Sequence, residues 1–150
     1  MPDADVTYAA DHEWWRLHHA NVRTAERWTQ DVTASQRYGL SLVLSTPARG
    51  IALAGEVVHR GGNSGFQALN LAVLWGAARV VLFGFDMNGA HFFGRHPAPL
   101  RNTTDYRPFI AAFNEAAPQL AAAGVVVFNA SPTSALTCFP RFDPCAVLTV

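Results

Sequence analysis

The sequence predicts an α/β fold, a mostly parallel sheet carrying helices on both faces. Three observations lead there. From Gly65 onward, helix-like and strand-like stretches alternate, and a further strand precedes them. The run Val125-Val126-Val127-Phe128-Asn129 is continuously apolar, the pattern of a parallel strand covered on both sides. A glycine-rich turn, Gly61-Gly62-Asn63-Ser64-Gly65, opens an apolar helix that leads through Gly76 into the strand Arg79 to Asp86. At 150 residues the chain can bury one real core and is short for two, so residues 1–150 are read as a single domain.

The elements follow in order. Val6 to Ala10 is a short β-prone run that stops at Asp11. Asp11 to Thr24 reads as a helix, with Asp11 as N-cap and Glu13 in its first turn. Residues 25–40 are polar and read as loop. Ser41 to Ser45 and Ile51 to Ala54 flank Pro47 and Gly50 and read as two short strands. After the helix Phe66 to Trp75 and the strand 79–86, a polar stretch from Asn88 to Asp105 carries His91 and His96. A third helix is expected from about Asp105 to Ala123, with Gly124 as its stop, then the strand ending at Asn129.

Composition narrows the function classes. Half of the residues are hydrophobic and 15% are charged, which fits a packed domain rather than a disordered chain. Net charge is +0 and no basic tract occurs, so binding to a nucleic-acid backbone has no electrostatic footprint. Every basic residue is Arg, which removes a lysine nucleophile, Schiff base or P-loop lysine. Cys138 and Cys145 form no CxxC pair, so neither a zinc knuckle nor a disulfide framework is expected. The start lacks the charged and apolar regions of a signal peptide, and the apolar runs fall short of a membrane span. A cytoplasmic location is the expectation.

The candidate site residues sit where an α/β fold binds ligands, at the carboxyl edge of the sheet. Gly62, Asn63, Ser64 and Gly65 form the turn at a helix N-terminus, where unpaired amides and the positive dipole end suit a phosphate or carboxylate. Capping alone would explain Asn63 or Ser64. Asp86 ends a strand and would orient a hydroxyl or hold Mg²⁺ through water. It would equally serve as a turn former ahead of Asn88-Gly89. His96 is the favoured general base, since histidine titrates near neutrality. Asp11, Asn129 and Ser131 close other strands and would reach the same cleft, with turn chemistry as the plain alternative. No protein metal site is assigned; a set of Asp86, His91 and His96 is the weaker alternative, a metal-dependent hydrolase.

The block Asn63-Ser64-Gly65 through Leu71-Ala72-Val73-Leu74-Trp75-Gly76 to Val80-Val81-Leu82-Phe83-Gly84-Phe85-Asp86 resembles a pattern of a Rossmann-like transferase superfamily. That superfamily includes bacterial lipooligosaccharide sialyltransferases and hydroxymethylpterin diphosphokinase-like proteins, and phage genomes carry relatives with the same block. The likeness continues to Asn129-Ala130-Ser131-Pro132-Thr133-Ser134-Ala135-Leu136 and spans about residues 61–136. It implies a Rossmann-like three-layer fold that binds a nucleotide or nucleotide sugar and transfers a glycosyl or diphosphoryl group to a hydroxyl acceptor. On the matching positions, Ser64 and Gly65 would contact the nucleotide, and His96 would stand where the sialyltransferases keep their catalytic histidine. Family members begin with a strand and a Gly-Pro-Ser or Gly-Asn-Gly loop, and none precedes Ala4, so the resemblance implies a phage or prophage relative without the first βα unit. The expected partner is a small-molecule nucleotide donor. A missing strand would leave a sheet edge open to homo-oligomerisation, and the alternative function is a non-catalytic phage binding or assembly module of the same fold.

Overall fold

Each strand in the fold pairs in parallel with its neighbours. The computed structural model describes residues 4–89, 94–100 and 102–143. Along the chain come β1 (Val6–Tyr8), α1 (His12–His18) with a 3₁₀ turn (His19–Asn21), β2 (Glu26–Thr29), α2 (Val32–Tyr38), β3 (Ser41–Leu42), β4 (Leu44–Thr46) and β5 (Val57–His59). Then follow α3 (Ser64–Leu74), β6 (Arg79–Leu82), α4 (Arg107–Ala122) and β7 (Val126–Asn129). The architecture is α/β.

The single sheet expected from the sequence is divided. It exists as three small sheets, β1-β2-β3, β4-β5 and β6-β7. The first two share one path of chain, because only Val43 separates β3 from β4. The Val43 amide donates to Thr29 O at 2.9 Å, and the chain then turns from β2 to pair with β5. Among the described residues β6-β7 pairs with neither of them. α3 joins it to the rest, and α4 adds bonds at Gln119 and Glu115 to the chain around Gly50.

Successive residues of a strand point to opposite faces. Tyr8 packs with Trp28, Val43, Val58 and Leu71 of α3, whereas its neighbour Ala9 packs with Trp15 of α1, Ala34 of α2 and Leu40. The α1–α2 pair and α3 therefore take opposite faces of the first sheet. α3 is apolar on a second side as well. There Phe66, Leu69 and Val73, spaced three and four apart, meet Leu82 of β6, Val127 of β7 and Phe113 of α4. Phe113 is the hub of that core, with its ring 5.1 Å from Phe66, 5.8 Å from Phe85 and 6.2 Å from Phe139 in edge-on contacts.

Several expected boundaries move. Residues 25–40, read as loop, contain β2 and α2. α2 has a proper start, since Asp31 accepts from the Ala34 amide at 2.7 Å, and it stops at Gly39. The expected strand Ile51–Ala54 is irregular, and β5 lies at Val57–His59 instead. Side chains rather than a neighbouring strand satisfy that backbone: Gln119 Oε1 accepts from Ile51 N, and Asn70 brackets Ala52. The α1 helix ends at His18 and tightens into the 3₁₀ turn; Asp11 holds the N-cap position without a side-chain cap bond. β6 ends at Leu82, because beyond it Phe85 N donates to Ser131 Oγ, a side chain, at 2.9 Å. No helix of the described residues is long and apolar enough to cross a membrane.

Asn70 is a buried amide in the middle of α3. Its Oδ1 accepts from His59 N at 2.8 Å and Ala52 N at 3.2 Å, and its Nδ2 donates to Ala52 O at 2.7 Å. Replacing it with Ala would orphan three backbone groups. Asn70→Ala is expected to cost about 3 kcal/mol, as one buried hydrogen-bonding partner lost to several groups does. A urea unfolding curve checks this, and Gln67 variants should not reproduce the loss at β5.

Candidate functional site

The ends of β1, β5, β6 and β7 meet around the first turn of α3. Asn63 caps that helix by accepting from Phe66 N at 2.8 Å. Next to the cap, Ser64 Oγ accepts from the Ala10 amide at 3.1 Å, tying the end of β1 to the helix. Gly65 lies against Phe85, so close that an added Cβ would stand 2.9 Å from its ring. Phe85 in turn connects to Ser131 beyond β7. Asp86 stands beside it, half-buried, with its carbonyl accepting from Ala135 N at 2.7 Å. Thus Ser64, Gly65, Asp86 and Ser131 belong to one neighbourhood, and Asp11 follows directly on Ala10.

Within that neighbourhood several donors have no acceptor among the described residues, among them the Ser64 and Gly65 amides and the hydroxyl protons of Ser64 and Ser131. The two amides are those the geometry of a helix start leaves over. Converging donors at a positive helix end can hold an oxyanion.

The glycines of the turn also have a packing reason. Gly61 and Gly62 both adopt positive φ, +53° and +86°, and a Cβ on Gly61 would run into the ring of the buried Phe66. Side chains are excluded there by the fold itself.

Asn129 and Ser131 are used inside the protein. Asn129 is buried; its Oδ1 accepts from Ser131 N at 3.0 Å, and its Nδ2 donates to Ser134 Oγ at 2.9 Å and Leu136 O at 3.1 Å. Ser134 Oγ donates onward to Phe85 O. The segment Asn129–Leu136 is thereby latched to the end of β6, which is the turn chemistry weighed for these residues.

His96 lies in the loop ahead of α4. Its amide donates to Asn102 Oδ1 at 2.7 Å and its carbonyl accepts from Asn102 Nδ2 at 3.2 Å, a clasp within its own loop. The loop runs into α4, where Arg107 donates to Asp105 from both backbone and side chain and holds that carboxyl down to about 2. His91 lies outside the described residues. Among the described residues no group of three His, Cys, Asp or Glu gathers as metal ligands. Cys138 is half-buried, and burial pushes its thiol up to about 11, far from the thiolate a nucleophile needs.

Two polar residues that the sequence reading left inside an apolar helix turn out to organise the site. Gln67 accepts from the Tyr8 hydroxyl at 2.6 Å and donates to Arg60 O at 3.0 Å, linking β1 to the root of the glycine turn. Their signal was present: Gln67 and Asn70 are the polar breaks in the run Phe66 to Trp75. A cavity of about 340 Å³ opens on the other side of the turn, between Arg49, Arg60, Gly61, Gly62 and the α4 face of Pro108, Ala111, Ala112 and Glu115.

No family model, curated protein or solved structure matches the chain.

Burial, with the Asp11 carboxylate adding to it, pushes the Tyr8 phenol far above its ordinary value. The folded protein keeps this proton where the unfolded chain releases it. The stabilisation is complete below about pH 10 and is lost as pH rises beyond. Tyr8→Phe is expected to cost about 1 kcal/mol at neutral pH and to flatten the alkaline fall in stability. Denaturant unfolding of both proteins across the alkaline range measures it.

Proposed function

We propose that the chain is a Rossmann-like, nucleotide- or nucleotide-sugar-binding domain of transferase type, acting on a hydroxyl acceptor. One observation carries this reading: the unspent donors of Ser64 and Gly65 at the start of α3, where the ends of β1 and β6 converge. In this reading a donor phosphate sits against Ser64 and Gly65. Asn63 serves through its cap, holding the turn's amides in place, and Gly62 leaves room beside them. Asp86 and Asp11 are carboxylates, which repel a phosphate and attract hydroxyls. They therefore face the sugar or the acceptor, or share Mg²⁺ with the donor. His96 is the group assigned to take the acceptor's proton, as the family resemblance implies. Transfer of this kind relies on positioning and on neutralising charge rather than on a covalent intermediate.

A second reading has its own support. β1 pairs only with β2, and β6 only with β7, so each has one edge unpaired among the described residues. A non-catalytic module that binds another protein by strand addition would use such an edge.

Thermal denaturation against CMP, CDP, UDP, ATP, GTP and their sugar conjugates, with and without Mg²⁺, separates the two, because a ligand of the native state raises its apparent stability. The transferase reading expects a shift for one base family. Ser64→Ala should remove about tenfold of that affinity while the circular dichroism stays native. His96→Ala should keep the shift and lose turnover. A folded protein with no shift for any nucleotide rejects the nucleotide reading. Gly65→Val is unsuitable for this test, because it would strike Phe85 and disturb the core.

A further inference from the structure

We infer that the cavity between the glycine turn and α4 is a second oxyanion site, built for the phosphate of a small molecule and gated by Glu115. It does not depend on a nucleotide being bound at α3. The cavity lies beyond the carboxyl ends of β4 and β5, since Arg49 stands three residues past Thr46 and Arg60 follows His59 directly. That edge is the ligand side of a parallel sheet.

Two guanidinium groups border it. Arg60 is oriented by a bond from its Nε to Ser45 Oγ at 3.1 Å, and its two terminal nitrogens make no further bond among the described residues. Those nitrogens are the fork that grips a phosphate or carboxylate in two bonds. Arg49 already shows that use. Its Nε and one terminal nitrogen both bond the Glu115 carboxylate, which sits on the fork as an anionic ligand would. The pairing pulls the Glu115 carboxyl below its usual range and raises Arg49. Arg49 is highly exposed, so the ion pair is weak and open to exchange. The Gly61 and Gly62 amides, unbonded among the described residues, border the same space. Pro108 brings the positive end of α4 to it, and Ala111 and Ala112 supply an apolar wall. A phosphate with a small apolar body fits that lining. On arrival it takes Arg60's free fork and displaces Glu115 from Arg49.

Calorimetric titration of the intact protein with pyrophosphate, at low ionic strength to limit screening, tests the inference. Wild type is expected to bind at millimolar concentration or below. Arg60→Ala should weaken binding about tenfold, the worth of a charged fork. Glu115→Gln should tighten it several-fold, because it removes both the competitor and a like charge. The effects of Arg60→Ala and Glu115→Gln should persist in a Ser64→Ala background, which separates this site from the start of α3. Equal affinity in wild type, Arg60→Ala and Glu115→Gln would overturn the site, as would no heat at millimolar pyrophosphate from folded protein. Loss in Ser64→Ala alone would assign the anion to α3 instead and also overturn it.

Discussion

Everything in this structure hangs on α3 being buried from two directions. A helix with one apolar stripe can lie on one sheet, but α3 turns Leu71 to the sheet of Val43 and Val58 and turns Phe66, Leu69 and Val73 to β6, β7 and α4. Such a helix would strand its polar residues, and here each is answered. Gln67 holds β1 and the glycine turn, and Asn70 holds the chain before β5. The helix thus does two things at once. It joins sheets that share no strand pairing among the described residues, and it fixes the loops whose ends compose the candidate site.

The same economy governs the glycine turn. Gly61 is required because Phe66 fills the space of its side chain, and Gly65 because Phe85 does. Packing and ligand binding make the same demand on these positions: a backbone with nothing standing on it. The amides left bare at Ser64 and Gly65 are a by-product of that packing as much as a binding device, and the Ser64 hydroxyl, whose oxygen accepts from the Ala10 amide, keeps its own proton to donate. Asn129 belongs to the other side of that division, since its side-chain amide is taken up inside the Asn129–Leu136 segment, and Ser131 Oγ accepts from the Phe85 amide.

The second half of the fold could be read closely from the sequence, and the first half poorly. α3, β6, α4 and β7 are long or strongly apolar, and their type and order came directly from periodicity. β2 carries little strand signal because three of its four residues, Glu26, Arg27 and Thr29, are polar, and Trp28 is covered only where it meets Tyr8 and Trp75. α2 is a seven-residue, mostly polar helix, yet Asp31 and Gly39 mark its two ends in the sequence. Ile51 misled in the opposite sense: an apolar residue fixed by the side chain of Gln119 from a distant helix carries no local sign of being irregular. For the site, the turn, Ser64 and Asp86 were found by position along the sheet edge. Arg49, Arg60 and Glu115 were not, since the cavity they border exists only after residues 66 apart in sequence come together.

The Asn129–Ser134 latch has a dynamic consequence. It binds the exit of β6 to the exit of β7 through two side-chain bonds, Phe85 N to Ser131 Oγ and Ser134 Oγ to Phe85 O, braced by two buried bonds within the segment itself. Opening either exit must break the other. The amides of Phe85, Ser131 and Leu136 should therefore exchange with solvent deuterium as one cooperative unit, at a rate set by the core around Phe113 rather than by the loops in which they lie. Loop by secondary structure, this corner is expected to exchange with the core, and Asp86 follows directly on Phe85.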